Sequence, residues 1–209
     1  MKNNIHYALS QEKKPGCPVG KLNAALYDKF YEHPEKVKHG FFPWYEENNF
    51  RQPKYRLPEG IVLIGKDSDY RFGIRNIFKS IYAIDEKFLK TCQEAKVYFH
   101  DIQPMATVDR HGTSISKTAY YAVVFKCIED ISEITGENLI KNDLLHIESF
   151  RSINFSEKIT DNLFRFSKLS PPVSTLFCTD SFMRLALINE VEGIRFLPTS
   201  SPSSKISPV

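Results

Sequence analysis

The segment 175–198 constrains the fold of this chain more than any other, because it reads as a strand, a capped apolar helix and a second strand in direct succession. Leu176, Phe177 and Cys178 form a short apolar run, and Thr179 and Asp180 follow with side-chain oxygens suited to a helix N-cap. Phe182, Met183, Leu185, Ala186, Leu187 and Ile188 leave little room for a polar face, which predicts a helix covered on most sides. Residues 189–193 stop it. Gly193 can take the positive φ needed after a helix end, and Ile194, Phe196 and Leu197 resume the apolar pattern before Pro198.

A similar unit lies upstream. Ile81, Tyr82 and Ala83 precede Asp85, Phe88, Leu89 and Cys92 follow it, and Val97 and Phe99 close the unit. Asp85 precedes Asp180 by 95 positions and Phe99 precedes Phe196 by 97, so the second copy carries two extra residues. The match suggests an internal repeat. Two capped strand–helix–strand units also arise by chance in many α/β chains, so both readings stand.

With 209 residues, 42% hydrophobic and 25% charged, the chain is long enough for one sizeable core and has the composition of a soluble globular protein. No apolar run reaches the roughly 18 residues needed to span a bilayer. The first ten residues lack the basic and apolar regions of a secretory signal, so a cytoplasmic protein without membrane contact is expected. Cys17, Cys92, Cys127 and Cys178 are far apart and form no C-x-x-C pair, which agrees with a reducing compartment, and the last three sit among apolar neighbours as core residues.

Along the chain, Ile5, Tyr7 and Leu9 alternate as in an opening strand, and Ile61 to Ile64 form a continuous buried one. Residues 119–127, 144–155 and 163–166 supply further strands, with a loop or short helix through the intervening acidic segment. Pro34, Gly40, Pro43, Pro53 and Pro58 break any long element early in the chain. From Ser200 to Pro208 seven of nine residues are Ser or Pro, which predicts a disordered tail over 199–209. The expected fold is α+β: a single domain over 1–198, with a mixed sheet, two capped helices packed on it and an irregular N-terminal part over 1–60.

A net charge of +3 does not by itself predict nucleic-acid binding, and no basic stripe is visible. The distribution is more informative. Residues 128–149 hold Glu129, Asp130, Glu133, Glu137, Asp143 and Glu148 against Lys141 alone, a local charge of −5 that reads either as a solvated face or as a patch for a basic partner. Phe42, Trp44 and Tyr45, in the proline-broken region, are either core residues or anchors for a partner. Glu129, Asp130, Glu133 and Glu137, with Phe42, Trp44 and Tyr45, are therefore the candidate partner-binding residues.

Signatures of catalysis are missing. Residues 109–118 include Gly112, Lys117 and Thr118 but lack the second glycine of a phosphate loop, and neither a G-x-S-x-G elbow nor a dinucleotide fingerprint occurs. The six histidines show no metal-binding spacing, and no catalytic, cofactor or metal residue is assigned. His100, Asp101, Asp109 and His111 are the one group from which an acid–base pair could be assembled, giving the alternative of a small hydrolase or nuclease.

The strand containing Tyr120, Tyr121, Ala122 and Val123, the acidic stretch, the short strand at 163–166 and the closing sequence TLFCTDSFMRLALINEVEGIRFLP resemble the immunity protein eleven family of bacterial polymorphic toxin systems. That family ends in an apolar strand, a Ser or Asp cap, a leucine-rich helix and a Gly, aliphatic, any residue, Phe pattern, here Gly193, Ile194, Arg195 and Phe196. The resemblance covers 80–198 loosely, is closest over 163–198 and does not include 1–60. It implies a cytosolic protein that binds and neutralises a cognate toxin, and it carries no catalytic or metal residues. The proline-rich aromatic segment departs from the pattern.

Overall fold

The computed structural model describes residues 5–37, 56–78, 80–130, 132, 134–170 and 175–209. Phe42, Trp44, Tyr45 and Glu133 lie outside the described residues. Two sheets dominate. The first has six strands in the order β2 (Ala24–Tyr27), β3 (Val62–Gly65), β6 (Phe99–Val108), β7 (Tyr120–Phe125), β5 (Ile81–Asp85) and β4 (Ile74–Phe78). The second has five, in the order β15 (Ile194–Pro198), β1 (His6–Gln11), β14 (Phe177–Thr179), β13 (Leu163–Phe166) and β8 (Cys127–Ile128). Both are mixed, because β3 runs parallel to β6 and β13 parallel to β8 while the other pairs are antiparallel. Two ribbons complete the strands among the described residues: β9 (Ile134–Glu137) with β12 (Ser152–Phe155), and β10 (Ile140–Lys141) with β11 (Ile147–Ser149). The acidic segment thus folds into ribbons, not the loop or short helix expected for it.

Among the described residues two α-helices, α1 (Glu86–Glu94) and α2 (Asp180–Ile188), occupy equivalent places. β5 and β6 flank β7, each antiparallel to it, with α1 connecting them; β14 and β15 flank β1 in the same way, with α2 connecting them. The correspondence extends to single hydrogen bonds. Asp85 Oδ1 accepts the Phe88 amide at 2.7 Å and Thr179 Oγ1 accepts the Phe182 amide at 3.3 Å. At the far ends Val97 N donates to Cys92 O, and Val191 N to Ala186 O, closing Schellman motifs around Lys96 at φ 54° and Glu190 at φ 53°. All of these pairs are 94 positions apart. The offset of 95 read from the sequence is corrected: Thr179 is the cap, and Asp180 is the first helical residue, paired with Arg184 at 2.7 Å.

Alternation along the strands sorts the apolar side chains into three layers. Ile81, Ala83, Ala122 and Val124 face one side of the first sheet, with Phe72, Tyr70 and Cys17. Tyr82, Ile84, Val123 and Phe125 face the other side and meet the helices, with Phe88 and Phe182 edge to face at 5.7 Å. Leu9, Leu163, Leu176 and Cys178 close this middle layer from the second sheet. Ala8, Phe164, Phe166 and Phe177 point to the third layer, which the β9–β12 ribbon covers through Ile134 and Ile153. All four cysteines are buried and unbridged.

Three expectations are corrected here. The N-terminal part is not wholly irregular: β1 is the middle strand of the C-terminal unit, buried on both faces at Ala8, Leu9 and Ser10. Residues 199–209 are ordered against the sheet, not disordered, because Ile206 and Val209 are buried, Gln11 N donates to Ser207 O and Ser207 N to Ser10 Oγ. Serine–proline composition hides these two apolar anchors. And α2 is covered on one side only. Phe182 and Ala186 are buried, while Leu187 and Ile188 are 61% and 75% exposed, since one helix can seat a single face on α1 and the second sheet.

Asp85 gives the fold a pH dependence. It is 3% exposed, and burial raises its pKa from 3.8 to about 7 against the opposing pull of the Phe88 amide and Lys87, with Glu192 and Glu86 adding to the rise. A carboxyl that binds its proton more tightly folded than unfolded contributes stability in full below pH ~4, and loses it as pH rises through about 7. The expected result is that Asp85→Asn, which keeps the capping oxygen, gains on the order of 2–4 kcal/mol relative to the parent between pH 4 and pH 8. Urea titrations across that range measure it, and a constant difference between the two proteins would count against the assignment.

Candidate functional site

The four residues offered by the sequence as an acid–base group are not brought together. His100 and Asp101 begin β6 and Asp109 and His111 follow its end, so a strand rising ~3.3 Å per residue holds the pairs apart. Each carboxylate is also engaged. Asp101 Oδ2 accepts the Leu57 amide at 2.6 Å and Oδ1 its own neighbour Ile102 at 2.9 Å. Asp109 Oδ1 accepts the amides of Thr113 and His111, which hold its pKa below the ordinary value. His111 Nε2 accepts from Arg110 Nε at 3.0 Å. The cysteine thiols at 92 and 178 are pushed well up by burial, and among the described residues no group of three or more His, Cys, Asp or Glu is placed to hold a metal ion.

The acidic segment folds into a less one-sided surface than its sequence suggests. Glu129 and Asp130 are exposed just past β8, and Asp130 Oδ1 accepts the Ser132 amide at 2.7 Å. That bond lowers the Asp130 pKa, and Lys158 and Lys168, from later in the chain, add to the effect. Glu137, on β9, meets Arg151 at 3.7 Å. Non-local folding therefore brings Arg151, Lys158 and Lys168 alongside carboxylates that in sequence face only Lys141.

Between β10 and β11 the chain builds a feature that the sequence reading missed. Asn142 Oδ1 accepts the amides of Leu144 and His146, both at 3.0 Å, while Asn142 N donates to His146 O and Leu145 N to Asn142 O. This double clamp fixes a tight tip, an arrangement for which Asn has the right side-chain length. Leu144 and Leu145 stand on it 73% and 62% exposed, with Ile140 at 57% beside them on β10. Leu145 has φ 59°, a left-handed conformation that costs an L residue with a bulky side chain roughly 1–2 kcal/mol. The base is rigid: Ile147 is buried in the third layer, its amide donates to Lys168 O and its carbonyl accepts from Ser170 N. Asp143 and Glu148 are exposed at the margins. The sequence signal is Asn-Asp-Leu-Leu; the strand expected over 144–155 starts later, at Ile147, and Leu144 sits at the tip of a turn.

No family model matches this chain, and no curated protein matches it.

Proposed function

We propose that this protein is a stoichiometric binding factor, an immunity protein that neutralises a cognate bacterial toxin by covering part of its surface. The observation that carries this reading is the Leu144–Leu145 tip: two leucines held in water on a clamped, strained turn above a buried base, with exposed Ile140 on the strand that leads into it. Folding alone gains nothing from that arrangement, whereas an interface core needs desolvated apolar anchors within a polar rim. Asp143 and Glu148 supply acidic rim positions and favour a partner with a basic margin around an apolar pocket. Glu129, Asp130 and Glu137 remain candidates for the wider contact, because a stable interface needs ~800 Å² per partner and the tip covers only its centre. The resemblance of the closing segment to the immunity protein eleven family supports the same class of function.

Strain and binding pull in opposite directions at Leu145, and this gives a test. Leu145→Gly relieves the left-handed backbone and removes the exposed side chain, so its stability is expected to stay within ~1 kcal/mol of the parent, while binding to the co-expressed toxin weakens at least about tenfold. Thermal unfolding and calorimetric titration measure the two quantities. Unaltered affinity in Leu145→Gly combined with Leu144→Asp would remove the tip from the interface.

A further inference from the structure

A cleft of about 1010 Å³ lies beside β2 and β3 and shares no lining residue with the leucine tip, which is anchored in the third layer. Its floor is apolar, with Leu22 and Ile64, and Tyr27 of β2, whose ring also lies 5.9 Å from that of Tyr31, lines it. Cations gather at its mouth from three separate segments: Lys21 before β2, Lys66 after β3, and Arg110 with His111 from the turn after β6. Their placement is set by backbone bonds, not by chance exposure. Lys66 N donates to Asn23 O at 3.0 Å, joining the first two segments. Asp109 Oδ1 clamps the third through the amides of His111 and Thr113.

Three cations, Lys21, Lys66 and Arg110, face two carboxylates, Asp109 and Glu35, in this cleft. Lys14, Lys87, Lys90 and Lys117 each hold a carboxylate within 4.0 Å, but among the described residues Lys21, Lys66 and Arg110 hold none. Asp109 accepts its turn amides through Oδ1 and keeps its charge, which Arg110 and His111 favour, and Glu35 lies 3.4 Å from His33. Arg110 uses Nε on the His111 imidazole, which leaves its two terminal nitrogens for an incoming acceptor. An apolar, tyrosine-lined body with a multi-cation mouth matches a ligand that has a planar ring at one end and phosphate oxygens at the other.

We propose that this cleft binds a nucleotide, with the phosphates at Lys21, Lys66 and Arg110 and the base against Tyr27. The site is independent of toxin binding and stands or falls separately from it. Isothermal titration of the full chain with AMP, ADP, adenosine and inorganic phosphate tests it. The expected result is saturable binding of ADP with Kd below ~1 mM, at least about fivefold weaker binding of both adenosine and phosphate, and loss of about tenfold or more in Lys66→Ala/Arg110→Ala. Both substitutions are at exposed side chains, and an unchanged melting temperature in the variant confirms that folding is intact. No saturable binding of ADP up to ~10 mM, or equal binding by the variant, overturns the proposal. Phosphate binding as tightly as ADP overturns the base-binding half and assigns a simple anion site.

Discussion

Replacing Arg75 with alanine is expected to destabilise the protein by ~3–5 kcal/mol, a shift of about 10 °C in melting temperature for a chain of this length. Arg75 is 1% exposed, yet no carboxylate pairs with it among the described residues. Its guanidinium is held by carbonyls instead: Nη1 donates to Ile74 O at 2.8 Å and to Gly193 O at 3.1 Å, and Nη2 donates to Pro18 O at 2.9 Å. The Phe72 ring lies 5.4 Å away, and burial draws the pKa down to about 10. One side chain thus joins β4 to the loop after β1 and to the start of β15, the places where the two strand–helix–strand units meet. Alanine leaves a cavity and three carbonyls short of a donor. Arg75→Met, which keeps most of the volume and removes the desolvated charge, is expected to lose less, ~1–3 kcal/mol. Equilibrium urea unfolding measures both. A loss below ~1 kcal/mol for alanine would mean that the arginine does not lock the two units.

Gly193→Ala is expected to act at the same junction, with a loss of ~2–4 kcal/mol. The residue has φ 72°, and an added Cβ would lie 2.8 Å from Cys17 Cβ, 2.9 Å from its Sγ and 3.3 Å from Phe72 Cβ. Its carbonyl also accepts from Arg75 and from Glu12 N, so the displaced backbone would loosen two further contacts. Gly20 separates conformational strain from crowding, since it has φ 84° but no heavy atom within 4 Å of a built Cβ. Gly20→Ala should lose only ~1 kcal/mol. If the two glycine variants lose equally, crowding against Cys17 contributes nothing. Gly193 was legible in the sequence as a positive-φ position, although the left-handed residue that closes the helix is Glu190, after Ile188 and Asn189, and Gly193 serves the turn into β15.

Locally encoded features were read correctly because they depend on a few neighbouring residues. The apolar run before Thr179, the side-chain cap at Asp85 and the β-branched stretch that becomes β3 all fall into this class. Non-local pairing was not legible. Nothing near His6–Gln11 indicates that this strand will lie between β14 and β15, more than 160 residues later, because the partners specify the register. Ile206 and Val209 are likewise anchors only because Ser10 and Gln11 present hydrogen-bonding groups to the returning chain. At the surface, the acidic segment kept its composition but acquired Arg151, Lys158 and Lys168 as neighbours, while the exposed leucines came from a turn whose geometry depends on one asparagine. The histidine–aspartate group fails for the simplest reason, that the strand from residue 102 to 108 runs between its halves.

Immunity by direct binding is tested by co-expressing this chain with the product of the adjacent upstream gene, scoring host survival and co-purification for the parent and for Leu144→Asp/Leu145→Gly. The upstream product is expected to be toxic alone, the parent to rescue growth and co-purify in a 1:1 complex, and the folded variant to do neither. Toxicity that the parent fails to relieve, or relief without a complex, would contradict immunity by direct binding.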